Sequence, residues 1–370
     1  MKITTKIIHN LGEYMECIHT LAQESGKVTP DILWFRGISD INHSLIPSLF
    51  RGNVRVTAEK EGGQYSALHY AEDIRVQHYI AKNYHFFDKE PSSRVEWLEV
   101  MQHQGMNTRV LDWSESSIHS LLFALEPFLN NEKYKEQNRM KCVPGVWVLK
   151  PGMLNRKIVD KLLEKIEEDE LLEKIEEDEL IYNLFKELTV DKNELKCMIT
   201  SLQRMKSDKY NATNATAHLD YIYNLSAIND EILRDRSRLK QMLMNGDIMN
   251  SVYYVLGRIY SDGYILKDRQ IPPLAVVHPY HSERIKAQKG VFTVFPFYKE
   301  HENDEKLRKL GINPDAIDNN SLARDFLVKI VINNPKDIAG ELLEHGMNDS
   351  WLYPEMPIVS GEIEHHRVYY

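Results

Sequence analysis

Apolar residues recur at helical spacing through residues 9–26, where Leu11, Tyr14, Met15, Ile18 and Leu21 mark one face of a short amphipathic helix. A short strand around Leu33–Phe35 follows. Residues 64–87 return to the helical period at Leu68, Ala71, Ile74 and Tyr79, and a further helix is expected from about Val95 to Gln104. Ser116 to Leu129 reads as a strongly apolar helix with Ser114 or Ser116 at its start as cap. Residues 143–152 then read as a strand bounded by Pro and Gly. Strand texture returns only at 272–280, 290–297 and 326–332, and the last of these leads into a helix at about 335–346.

Between the two strand-bearing parts, residues 155–260 carry few strand signals and much helix former. Within them Leu-Leu-Glu-Lys-Ile-Glu-Glu-Asp-Glu occurs twice in tandem, at 162–170 and 171–179. A nine-residue period is about two and a half helical turns, so the copies would point their apolar faces in opposite directions. The repeat therefore reads first as a duplication lengthening a solvated helix, and second as an acidic docking surface for a basic partner. The order of elements predicts an α+β fold, a mixed core split by a helical insertion too long for an ordinary connection.

Composition changes this picture in two places. The chain has 370 residues, room for two average domains or one with a large insertion, and its 19 Tyr and 11 Phe suit a packed globular protein. No apolar run approaches the roughly 18 residues that span a bilayer. With no signal-peptide pattern and only Cys17, Cys142 and Cys197, the expected setting is a reducing cytoplasm, with no membrane and no metal. The net charge of −9 comes almost wholly from residues 158–180, so the rest of the chain is close to neutral and a polyanionic partner stays open. Arg204, Lys206, Lys209, Arg234, Arg236, Arg238 and Lys240, with Tyr210, Tyr221 and Tyr223 nearby, read first as a solvated surface and second as a nucleic-acid surface. His365-His366 reads as tail.

The residue most in need of an explanation is Arg36, in Trp34-Phe35-Arg36-Gly37. A guanidinium among aromatics needs a carboxylate or phosphate partner, because an unpaired buried charge costs several kcal/mol. Gly37 permits close backbone approach to a ligand, and Asp112 is the structural competitor for Arg36. Arg109 and Asp112 read as an internal ion pair. His103 stands evenly between packing and a site role, and Ser114 and Ser116 between helix caps and ligand contacts. Gln288, just before Gly290, reads as a polar side chain at a strand bend, and Glu283, five residues earlier, would face the other way if it were in a strand.

Four blocks stand in order: Trp34-Phe35-Arg36-Gly37 through Arg51; Gln102 through Ser116, including His103, Thr108, Arg109, Asp112 and Trp113; Glu283 through Thr293; and Leu342 through Pro354. Together they resemble the FRG domain, a bacterial family named for its Phe-Arg-Gly triplet. The resemblance covers roughly 10–152 and 270–362, dividing the chain into an N-terminal FRG half (1–152), a helical insertion with the acidic repeat (153–268) and a C-terminal FRG half (269–370). FRG domains look like distant relatives of ADP-ribosyltransferases, so the resemblance implies a split, ADP-ribosyltransferase-like mixed sheet. It also implies an NAD-consuming transferase in a toxin or phage-defence setting. The acceptor would be nucleic acid, RNA first, or protein, and an antitoxin protein would be a partner. A non-catalytic nucleotide- or partner-binding module is the alternative. In the transferase pattern Arg36 holds the NAD pyrophosphate or ribose, with Gly37, His103, Thr108, Arg109, Asp112, Ser114 and Ser116 around the cofactor. The acidic residue expected at the ribose is replaced by Gln288, leaving Glu283, Asp112 or Glu115 to supply the charge that an oxocarbenium-like transition state calls for.

Overall fold

The computed structural model describes residues 3–24, 32–51, 67–87, 90–91, 93–129, 142–167, 256–263, 265–266, 269–280, 282–299 and 303–353. Their elements run β1 (Thr4–Ile8), α1 (Leu11–Gln23), β2 (Trp34–Ile38), a 3-10 turn (Ser48–Phe50), α2 (Ala67–Asn83), α3 (Arg94–His103), β3 (Val110–Ser114) and α4 (Ser117–Leu129). Next come β4 (Gly145–Leu149), α5 (Pro151–Glu167), a π turn (Gly257–Ser261), β5 (Ile265–Leu266), β6 (Leu274–Val276), α6 (Glu283–Ala287), β7 (Gly290–Val294) and β8 (Phe297–Tyr298). The described elements end with α7 (Asp304–Lys309), β9 (Leu327–Ile332), α8 (Pro335–Glu344) and α9 (Asp349–Leu352).

The main sheet has the order β1-β9-β4-β2-β3-β7-β6. Only β1 and β9 pair in parallel, and every other neighbouring pair is antiparallel. A fold with a mixed sheet and helices on both faces follows from alternation along the central strands. In β2 and β4, Phe35, Val146 and Val148 face one core with Tyr14, Leu121, Leu125 and Ile338. Trp34, Trp147 and Leu149 face a second core with Leu98, Met101, Leu154 and Ile158. The acidic repeat beyond Glu167, the basic cluster of residues 204–240 and His365-His366 lie outside the described residues. The start of α5 is core: Leu154 and Ile158 are fully buried, and the Asn155 side chain bonds both the N–H and the carbonyl of Ala275 in β6. Among the described residues no helix is long and apolar enough to cross a membrane.

One property of the sheet positions the site. β2 pairs with β4 along its whole length, from Trp34–Leu149 to Ile38–Gly145, and β3 pairs with β7 from Val110–Val294 to Ser114–Gly290. Between β2 and β3, however, the ladder consists of a single bridge, Phe35–Ser114. Beyond it no further β2–β3 pairing forms, so the β1-β9-β4-β2 and β3-β7-β6 parts of this seven-stranded sheet meet at one bridge and open a split between β2 and β3.

Candidate functional site

A cleft of about 760 Å³ opens where the sheet splits. Its walls are β2, the loop from Ser39 to Arg51, the end of α3, β3, one face of α4 and the α6–β7 junction. Three arginines, Arg36, Arg51 and Arg284, line it against two acids, Asp112 and Glu126, with His43 and His103 beside them. A concave site of this size with a cationic excess suits an anionic small molecule.

Arg36 sits at the split itself. Its Nη1 donates to the Asp112 main-chain carbonyl and to Asp112 Oδ2, both at 2.6 Å. The β3–β7 ladder bonds at odd positions, as the Phe295 N–H to Arg109 carbonyl and the Glu115 N–H to Lys289 carbonyl show. The Asp112 carbonyl therefore points toward β2, where backbone pairing has stopped, and Arg36 supplies the missing donor. The other Asp112 oxygen, Oδ1, accepts from Gln102 Nε2 at 2.8 Å, and Gln102 in turn accepts from the Thr108 hydroxyl. Asp112 is thus fixed in orientation while its side chain stays 57% exposed to the cleft. Desolvation opposes its charge, but Arg36 and the Gln102 amide outweigh that and hold the carboxyl below its ordinary value.

The expected pair of Arg109 with Asp112 is not formed. Arg109 is fully buried on the far side of β3. Its Nε donates to Glu72 Oε2 at 2.9 Å, Nη1 to the Phe295 carbonyl at 2.8 Å and Nη2 to the Ser261 carbonyl at 3.0 Å. Glu72 is shared with Arg94, at 3.1 Å. Every arm of the Arg109 guanidinium is spent on the fold, so Arg109 contacts no ligand in the cleft. Thr108 is likewise fully buried and reaches the cleft only through Gln102.

The hydroxyls of the second block are structural in the same sense. Ser114 lines the cleft, yet its Oγ donates to the Gln288 carbonyl at 2.7 Å and accepts from the Ser116 N–H at 2.9 Å. Ser116 caps α4, accepting from the His119 N–H at 3.3 Å. His103 lines the cleft with Nε2 3.2 Å from Ser282 Oγ. Gly37 lines it too, but a Cβ there would meet the Ser120 carbonyl at 1.7 Å, so it is the close approach of α4 that requires glycine here.

Gln288 does not sit at a strand bend, and Glu283 is not in a strand. Glu283–Ala287 is a short helix capped by the Ser282 hydroxyl, with Gln288 at its C-terminal end. Lys289 follows with φ 49°, a left-handed turn that swings the chain into β7. Glu283 is 86% exposed and outside the cleft lining. Glu115 lies outside it as well, its carboxyl pushed up by burial against the pull of Lys289. Gln288 does line the cleft, with its Nε2 donating to the Leu352 carbonyl at 2.7 Å, so the side-chain oxygen is the end left to accept from a ligand. Of the acids considered from sequence, Asp112 alone faces the cleft. Arg51, Gln102, Arg284 and Glu126 join the site without having been assigned a role. Arg51, Gln102 and Arg284 stand in the blocks that carry the family resemblance, which was the signal available. Arg284 stacks on Tyr353, its guanidinium carbon 4.5 Å from the ring centre.

Residues 31–133, spanning β2 through α4 and thus Arg36, Arg51, Gln102 and Asp112, match the family model of the FRG domain. The C-terminal blocks around Gln288 and Tyr353 lie outside that match. Searches of curated proteins and of solved structures found no match.

Proposed function

We propose, starting from the FRG domain at residues 31–133 and the cleft it helps build, that this chain is an NAD-dependent ADP-ribosyltransferase of a bacterial toxin or phage-defence system. The observation that carries the reading is the split between β2 and β3, with Arg36 and Asp112 facing each other at its mouth. Arg36 engages the diphosphate of NAD or the adjoining ribose through the guanidinium edge that Asp112 does not occupy. The Gln288 side-chain oxygen accepts a hydroxyl of the nicotinamide ribose, and Asp112 supplies the negative charge the transferase pattern otherwise draws from a glutamate. The bond between ribose C1′ and the pyridinium nitrogen breaks, its electron pair leaves with neutral nicotinamide, and the ribosyl cation is captured by a nucleophile of the acceptor, which releases a proton. A fixed carboxylate near C1′ favours that cation over the ground state.

RNA is the first-choice acceptor and protein the second. Labelled NAD incubated with the full chain and, separately, total RNA, DNA and protein tests both points. Label in one fraction together with nicotinamide release, lost in Arg36→Ala, is the expected result. No nicotinamide release with any fraction sinks the enzyme reading. A second reading, a non-catalytic nucleotide-binding module, is favoured by one observation: the Gln288 amide is tied to Leu352 and carries no charge where an acid is expected. NAD binding without turnover would select it.

A further inference from the structure

We propose that Arg51 is the second arm of a diphosphate clamp, opposite Arg36, which makes the cleft selective for ligands carrying two linked phosphoryl groups. The proposal deepens the reading of the cleft as an NAD site and rests on it for the identity of the natural ligand.

The loop that carries Arg51 is built to hold still. Leu45, Ile46, Leu49 and Phe50 are all buried. The Leu45 N–H donates to Asp318 Oδ1 at 2.8 Å, and the Leu45 carbonyl accepts from the Ile317 N–H at 3.1 Å. The Leu49 N–H bonds the Thr108 carbonyl at 3.1 Å, and Phe50 packs edge-on against Phe297 at 5.9 Å. None of these anchors uses the Arg51 side chain. Its Nε donates to the Ile46 carbonyl at 3.0 Å, which fixes the plane of the guanidinium. Among the described residues its two terminal nitrogens have no protein partner, and Arg51 lines the cleft.

The contrast with the structural arginines is direct. Arg109 spends both terminal nitrogens on carbonyls, and Arg269 spends both on Asp304, with Lys299 in addition. An arginine kept for the fold uses its fork, whereas Arg51 holds its fork open. The charges point the same way. Partial burial, and then the field of Arg36, push the Arg51 pKa below the usual arginine range, with Asp112 only partly offsetting them. Asp112 already occupies one edge of Arg36, so a carboxylate has been provided for and one cation remains uncompensated. Each guanidinium edge matches the oxygens of one phosphoryl group, and two such edges in one cleft match two joined groups.

The test is calorimetric titration of the full chain with ADP, AMP and inorganic pyrophosphate, using wild type, Arg51→Ala and Arg51→Lys. Circular dichroism melts check that the variants remain folded. Wild type should bind ADP roughly tenfold or more tighter than AMP, and Arg51→Ala should erase that preference by weakening ADP. Arg51→Lys, which keeps the charge and loses the fork, should recover only part of it. Equal affinity of wild type for ADP and AMP overturns the clamp. So does an Arg51→Ala affinity for ADP within roughly threefold of wild type, or no ADP binding at all. The transferase reading fails separately: an ADP preference that depends on Arg51, in a protein that never releases nicotinamide, leaves the clamp standing and removes the enzyme.

Discussion

Replacing Gly37 by alanine separates two meanings of the glycine in the Phe-Arg-Gly triplet. If the glycine exists to let a ligand approach β2, the variant should fold normally and bind poorly. The structure requires the opposite. The added Cβ would lie 1.7 Å from the Ser120 carbonyl oxygen and 2.7 Å from the Ala124 backbone nitrogen. Both are main-chain atoms of α4, so no side-chain rotation relieves the clash. Restoring ordinary contact of roughly 3.5 Å means moving the helix by about 1.5–2 Å. That helix buries Leu121, Leu122, Ala124 and Leu125 against the sheet. Overpacking typically costs about 1–3 kcal/mol, and a clash with backbone on both sides belongs at or above the upper end. At a slope of about 3 kcal/mol per M, a cost of about 3 kcal/mol moves a urea midpoint down by about 1 M. Urea unfolding followed by circular dichroism reads this directly. An unchanged midpoint with weakened nucleotide binding would refute the packing argument and return Gly37 to the ligand.

Asp112→Asn keeps a side chain that can bond Gln102 while removing the charge, so nicotinamide release should fall about 10²- to 10³-fold with a smaller change in NAD affinity; equal loss of both would show that Asp112 only binds. Glu72→Ala leaves the fully buried Arg109 without its carboxylate, and should cost about 3–5 kcal/mol in chemical denaturation; a change below about 1 kcal/mol would show that its carbonyl partners suffice. His278 is buried with Nδ1 2.6 Å from Glu99 Oε1. Burial favours the neutral ring, but Glu99, with Glu96 behind it, outweighs that and raises the pKa above its ordinary value. The pair's contribution is therefore complete below about pH 6.5 and is lost as pH climbs through the raised value, and His278→Gln should flatten that part of the stability–pH curve.

Strands of the main sheet were legible where burial on both faces leaves an apolar, branched run between Gly and Pro, as in Val146–Leu149 and Val291–Val294. β1 was not legible. Of its residues only Ile8 is buried, and Thr4-Thr5-Lys6-Ile7 is extended because β9 offers it a parallel edge, a contact more than three hundred residues away. Helix α6 is not legible in the sequence, because its run is a single turn, too short to show a period. The partner of Arg109 could not be named because proximity in sequence favours Asp112, whereas Glu72 reaches it from helix α2. Arg36 and Asp112 were legible as a pair of competing claims. What the sequence could not convey is that a gap in the ladder makes both claims compatible, since Arg36 bonds Asp112 and still borders the cleft.

The single Phe35–Ser114 bridge has a mechanical consequence. Where backbone hydrogen bonds between β2 and β3 stop, the Arg36–Asp112 contact still ties the two strands, so under the proposed function the same guanidinium would be both rivet and ligand hook. A ligand that draws Arg36 toward itself competes with the fastening, and one that bridges Arg36 to the β3 side reinforces it. Occupancy should therefore be readable along the seam beside the cleft, in the amide exchange rates of Gly37 and Ile38 and of Val110 to Trp113.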